Sequence, residues 1–179
     1  MLNTKSRMLK QSAEIISLEQ LYEMYKNQVY TLCIRLTNSK MLADDLFSAT
    51  WERVAEKYRN IRHDKNPMGW IFSVCINVYR KSAQKQKLIT LSENIKCESS
   101  QLFSTKNKED LLIDQETRQQ LQQALNSLKD KYRIPIILFY FKEMSYNEIS
   151  KIMKLPMSTV KFRLNHAKKL LKQLMEETQ

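Results

Sequence analysis

The chain has 179 residues, the length of one ordinary domain or two small ones. It has one glycine, Gly69, and three prolines, and its 30 Lys and Arg exceed its 19 Asp and Glu, for a formal net charge of +11. Hairpin turns and phosphate-cradling loops need glycine at positive φ, so barrels, sandwiches, P-loops and dinucleotide folds give way to an all-helical chain with a polyanionic partner.

Residues 1–17 are an N-terminal extension with basic side chains but no continuous apolar stretch, unlike a signal peptide. A first helix is predicted over 18–36, where Leu18, Leu21, Tyr22, Tyr25, Val29, Leu32, Cys33 and Leu36 recur at helical spacing. Asn38 and Ser39 mark a turn. A second helix follows, with Leu42, Ala43, Leu46, Phe47, Thr50, Trp51, Val54 and Tyr58 inward. Residues 60–69 hold polar side chains plus Pro67 and the glycine, so they read as a loop. The third helix is expected from Trp70 to Lys87, with Trp70, Ile71, Val74, Cys75 and Val78 on one side.

Residues 88–110 are rich in Ser, Asn, Lys and Glu without a sustained period, and read as a flexible linker. Helical periodicity returns with Leu111, Leu112, Leu121, Leu125 and Leu128. The longest apolar run, Ile134 to Phe141, is broken by Pro135 and is far short of the roughly 20 residues that span a bilayer. Pro135 fits a helix there only in its first turn. Three cysteines (Cys33, Cys75, Cys97) with no CxxC pair read as reduced cytosolic thiols. With only His63 and His166 besides, no metal-ligand cluster is expected. The expectation is an all-α chain of two small helical domains joined by a tether.

The C-terminal part carries a helix-turn-helix pattern. Ser145 and Glu148 have the spacing of a capping box, in which hydroxyl and carboxylate each take a backbone N–H. Ile149, Ile152 and Met153 then share a face, Lys154 and Leu155 make a short turn, and Pro156 suits the start of the next helix. On that helix Val160, Leu164, Ala167, Leu171 and Leu174 lie within about 80° of arc at 100° per residue. Ser158, Phe162, Asn165, His166 and Lys169 lie on the far side, flanked by Lys161, Lys168 and Lys172. Phenylalanine on a solvated face is unexpected. In a major groove it can meet a thymine methyl while Asn, His or Lys meets base edges; otherwise it packs on a neighbouring helix.

The charge is concentrated. Residues 51–87 carry nine basic and three acidic side chains, and residues 151–172 carry seven basic and none acidic. In the third helix Ser73, Asn77, Arg80 and Gln84 form one polar stripe. Such groups can read an unstacked base on its edge while Arg80, Lys81, Lys85 and Lys87 hold phosphates, or they can be an ordinary soluble face.

Two segments resemble regions 2 and 4 of the extracytoplasmic-function (ECF) sigma factors of the RNA polymerase sigma-70 family. The first is MLADDLFSATWERV (41–54) with PMGWIFSVCINVYRK (67–81). The second is LKDKYRIPIILFYFKEMSYNEISKIMKLPMSTVKFRLNHAKKLLKQL (128–174). The resemblance implies region 2 over 18–87, the linker over 88–110 and region 4 over 111–177. It implies that Asp44, Asp45 and Leu46 dock on the β′ clamp helices of core RNA polymerase, although the two carboxylates could equally be solvated. Trp70, at the start of the −10 recognition helix, could equally be core. Asn77 matches the family asparagine that helps hold a flipped non-template base, with the loop Asn60–Asn66 closing over it and Ser73, Arg80, Lys81 and Gln84 alongside. Ile61 stands where relatives often have an aromatic, which implies weaker stacking on the melted strand, a contact worth roughly 1–3 kcal/mol per base.

In the second segment the resemblance places Ser158, Thr159, Lys161, Phe162, Arg163, Asn165, His166 and Lys169 at the −35 major groove. Phe162, Asn165 and His166 are the expected base contacts, with Lys161, Arg163 and Lys169 on phosphates. Glycine is usual in the family where Lys154 stands, so a positive φ there would cost stability. The 23 linker residues could extend to roughly 75–80 Å, more than the roughly 50–55 Å between the family's two promoter elements. The implied partners are core RNA polymerase (β′ clamp helices and β flap), promoter DNA and an anti-sigma factor, in the cytoplasm. No catalytic residue, cofactor, metal or small-molecule substrate is implied. A stand-alone helix-turn-helix regulator would account for the second segment but leaves residues 18–87 without a role.

Overall fold

The computed structural model describes residues 16–37, 39–58, 66–93 and 115–176. The N-terminal extension before Ile16, the loop 59–65 with Ile61, Cys97, and the chain from 94 to 114 with Leu111 and Leu112 lie outside the described residues. Every regular element among those described is helical.

Helix α1 (Leu18–Thr37) starts on a reciprocal cap. Ser17 Oγ accepts from the Gln20 N–H at 3.1 Å, and Gln20 Oε1 accepts from the Ser17 N–H at 2.8 Å. Helix α2 (Lys40–Lys57) packs along α1, burying Ala43, Leu46, Thr50, Trp51 and Val54 against Leu21, Val29, Leu32 and Leu36. Tyr22, Phe47 and Trp51 meet edge to face at the rim, with centroids 4.9–6.2 Å apart.

Helix α3 (Pro67–Glu93) is longer at both ends than the sequence suggests. Asn66 caps it, Oδ1 accepting from the Gly69 N–H at 3.2 Å, and Pro67 takes the first helical position, where no N–H is needed. Gly69 therefore lies in the first helical turn, not in a loop, and has no positive φ. At the other end nothing between Lys87 and Glu93 breaks a helix, so residues 88–93 extend α3 into the segment read as linker. Ile71, Val74 and Cys75 are buried, as expected, and so are Phe72 and Ile76.

The second unit holds α4 (Gln115–Ser127), α5 (Asp130–Ile136), a π-helical turn (Ile137–Phe141), α6 (Tyr146–Met153) and α7 (Met157–Glu176). Pro135 is not in the first turn of α5 but near its end. Pro135 has no N–H to offer the Lys131 carbonyl one turn back, and Lys131 is an exposed residue. Leu125, Leu128, Ile134, Leu138, Ile149, Val160 and Leu164 fill this core.

The two units touch directly. Helix α3 packs on α6 and α1 on the π-helical turn. Tyr79 of α3 donates to Asp130 Oδ1 at 3.1 Å, and Arg133 Nη2 binds that carboxylate at 2.8 Å and the Tyr79 oxygen too. Lys142 Nζ reaches the Gln28 carbonyl at 2.9 Å, and Arg35 Nη1 reaches Gln122 Oε1 at 3.0 Å.

Candidate nucleic-acid interface

The capping box at α6 is complete: Ser145 Oγ accepts from the Glu148 N–H, and Glu148 Oε2 accepts from the Ser145 N–H at 2.9 Å. These bonds from Ser145 hold the Glu148 carboxyl below its ordinary value. Helix α6 ends on Lys154 at φ 54, ψ 49, a left-handed cap whose N–H bonds the Ser150 carbonyl, as does that of Leu155 at 3.0 Å. The positive φ considered for this position is therefore present, on a lysine. The Pro156 carbonyl accepts the Val160 N–H at 3.1 Å, which starts α7.

Helix α7 buries Val160, Leu164 and Ala167 and turns the opposite side outward. Ser158, Lys161, Asn165 and Lys169 are exposed, and Phe162 is 65% exposed. Thr159, Arg163 and His166 are half-buried. An exposed Phe162 does not have the burial expected of a ring packed on a neighbouring helix, and it stacks on the His166 ring of the next turn. Lys161 lies 5.8 Å from the centre of the Tyr146 ring and Lys168 5.4 Å from that of Tyr140, so two of the helix's cations rest on aromatic faces.

On α3, Asn77, Lys81 and Gln84 are exposed and Ser73 is half-buried. Trp70 is partly buried against the core, so it serves packing as well as any surface role. Arg80 is half-buried, and desolvation lowers its guanidinium below the ordinary value while Asp130 opposes the shift and Arg163 adds to it. Arg80 of α3 and Arg163 of α7 thus stand within electrostatic reach of each other. Asn66 Nδ2 also donates to Glu148 Oε1 at 3.2 Å, joining the foot of α3 to the cap of α6.

Asp44 and Asp45 are exposed on α2. Tyr30 donates to Asp44 Oδ1 at 2.8 Å, and that bond raises the phenol above its ordinary value. Leu46, expected beside the two carboxylates, is only 5% exposed and packs its side chain into the core between α2 and its neighbours. Asp45 lines a cavity of about 400 Å³ at the seam between the units, with Leu42, Val78, Tyr79 and Arg133. The residues missed in the sequence, Tyr79, Asp130, Arg133 and Lys142, all belong to this seam. Their only sequence signal is polar side chains set beside apolar runs. Among the described residues no group of His, Cys, Asp and Glu could hold a metal ion, and no helix is long and apolar enough to cross a membrane.

Comparison with known proteins follows the same division. Residues 21–88 match the family model for sigma-70 region 2, and residues 118–171 match that for sigma-70 region 4. The chain is 29% identical over 160 residues to the ECF RNA polymerase sigma factor SigM of Bacillus subtilis, covering 89% of this chain and 95% of that protein. It is 24% identical to the ECF RNA polymerase sigma factor SigW of the same organism, covering 87% of each. In fold it resembles the sigma factor RpoE of Bartonella quintana, solved with the anti-sigma factor NepR, at a TM-score of 0.77 and 21% identity over 88% of this chain and 96% of that one. A stand-alone helix-turn-helix regulator would leave the region 2 match unexplained. With both regions present in order and full-length relatives of one kind, the chain belongs to the extracytoplasmic-function sigma factors of the sigma-70 family, alternative sigma factors for transcription initiation.

Proposed function

We propose that this sigma factor binds core polymerase through the Asp44 and Asp45 face of α2, reads −35 duplex with α7 and holds a flipped −10 base against Asn77. The observation that carries the reading is one chain with two outward polar and basic faces of different chemistry. Helix α7 offers cations around a single exposed ring, which suits paired DNA. Helix α3 offers the amide of Asn77, which suits an unpaired base edge. Extruding a base costs a few kcal/mol, so a pocket that holds it favours the open strand.

The polymerase supplies the chemistry and this chain the address, so its place of work is the cytoplasm, beside the chromosome. The anti-sigma partner of the solved relative supports an anti-sigma protein as a further partner. Mixing the full chain with bacterial core polymerase should give promoter-specific run-off transcripts, and no association with core would overturn the proposal. Asn77→Ala holoenzyme should dock on duplex normally yet lose permanganate reactivity at −10. Normal opening would remove that role from Asn77.

A further inference from the structure

Phe162 is the most exposed aromatic ring on α7, yet it is not loose. Its ring stacks on that of His166, one turn on, with centroids 5.9 Å apart and planes 4° from parallel. His166 in turn meets Tyr132 of α5, centroids 4.8 Å apart at 55°. Tyr132 is held at its base, its N–H bonded to the Lys129 carbonyl at 2.8 Å, and its ring lies 4.8 Å from Lys131 Nζ. Three rings therefore run from a half-buried tyrosine on one helix to an exposed phenylalanine on another.

We infer that Tyr132 and His166 are positioning residues for −35 discrimination: the three-ring stack fixes the rotamer of Phe162, so its ring reaches the groove already placed. This rests on the reading of α7 as the −35 helix and reassigns His166 from base contact to support. An exposed phenylalanine on a helix has two open χ1 wells, and docking must freeze one of them. A ring neighbour at i+4 favours a single well, and a neighbour anchored on another helix keeps that support from swinging away. What this preorganises is an apolar contact, so the base it discriminates is one with a methyl group in the major groove, thymine. Phosphate contacts by Lys161 and Lys169 do not depend on the stack.

The test uses holoenzyme made with the full chain and a duplex library randomised over the −35 element, selected by binding and sequenced. Phe162→Ala identifies the base position that the ring reads. Tyr132→Leu, which keeps apolar bulk but removes the ring, should flatten the preference at that same position about three- to tenfold. His166→Leu should do the same, and serves if the Tyr132 variant fails to fold. Tyr132→Phe should retain the wild-type preference, and the salt dependence of binding should not change in any of the three. Full preference in both leucine variants, when Phe162→Ala has lost it, overturns the inference and leaves the −35 reading intact. Flattening spread over all positions, or a shallower salt slope, overturns it as well, because the helix as a whole would then have moved. Unchanged preference in Phe162→Ala would overturn the reading of Phe162 and the inference with it.

Discussion

Lys154 sits in the left-handed region with a full side chain, where the Cβ crowds the following carbonyl. Lys154→Gly should therefore stabilise the protein by about 1 kcal/mol, read as a higher midpoint in urea; an unchanged midpoint would mean the lysine's own contacts offset the strain. Lys142 is a second residue held under tension. Burial, with Arg35 beside it, pushes its ammonium down to about 8 from an ordinary 10.5, and the Cys33 and Cys75 thiols act the other way. Below pH 8 the lysine is charged in folded and unfolded chains alike, and the folded state bears the burial. Between pH 8 and 10.5 only the folded state has released its proton, so stability rises with pH. Relative to Lys142→Met, the wild type should gain about 1–2 kcal/mol between pH 7 and 10, measured by paired urea titrations. The raised Cys33 thiol and the Tyr79 phenol, pushed up to about 12, oppose this above pH 9 but are common to both proteins. A pH-independent difference would put the Lys142 amine in water.

Helix α3 shows how one set of residues carries two meanings. By composition Asn66, Pro67 and Gly69 suit a loop, yet Asn and Pro are also the cap and first position of a helix. The deciding fact is the hydrogen bond from the Gly69 N–H to Asn66 Oδ1, which a sequence does not reveal. A Cβ on Gly69 would meet only the Asn66 side chain, at an ordinary 3.7 Å. Gly69→Ala should then raise stability by about 0.5–1 kcal/mol, seen as a higher melting temperature. A lower one would show that the first turn of α3 needs the freedom of glycine. In α5 the reverse occurs: Pro135 by sequence suits only a helix start, yet it stands near the end, one turn after exposed Lys131 and just before the π-helical turn. By contrast the cap at Ser145, the turn at Lys154 and the buried stripe of α7 were all readable, because each depends on neighbours within a few residues.

The seam between the two units holds them in direct contact. Helix α3 touches α6; under the proposed reading of two promoter elements about 50 Å apart, binding both requires the units to separate. Tyr79, Asp130 and Arg133 form the polar centre of that seam, with Arg133 only 9% exposed. Arg133→Met should favour the separated arrangement roughly tenfold, since a charge-assisted hydrogen bond contributes about 1.5–3 kcal/mol. Single-molecule energy transfer between dyes on α2 and α7 would register the change. An unaltered distribution would place the strength of the seam in the Lys142 and Phe72 contacts instead.

What could be read from the amino acids alone was local: helix period, the capping box at Ser145, the buried stripe of α7 and the two basic faces. Those properties arise from side chains a few positions apart, whose physics is complete within one or two turns. Tertiary structure decided the rest, namely that Leu46 is core, that His166 lies between two rings, and that a tethered pair of domains meets along Tyr79, Arg133 and Lys142. Each of these joins residues dozens of positions apart, and their energies exist only once burial removes water from between them.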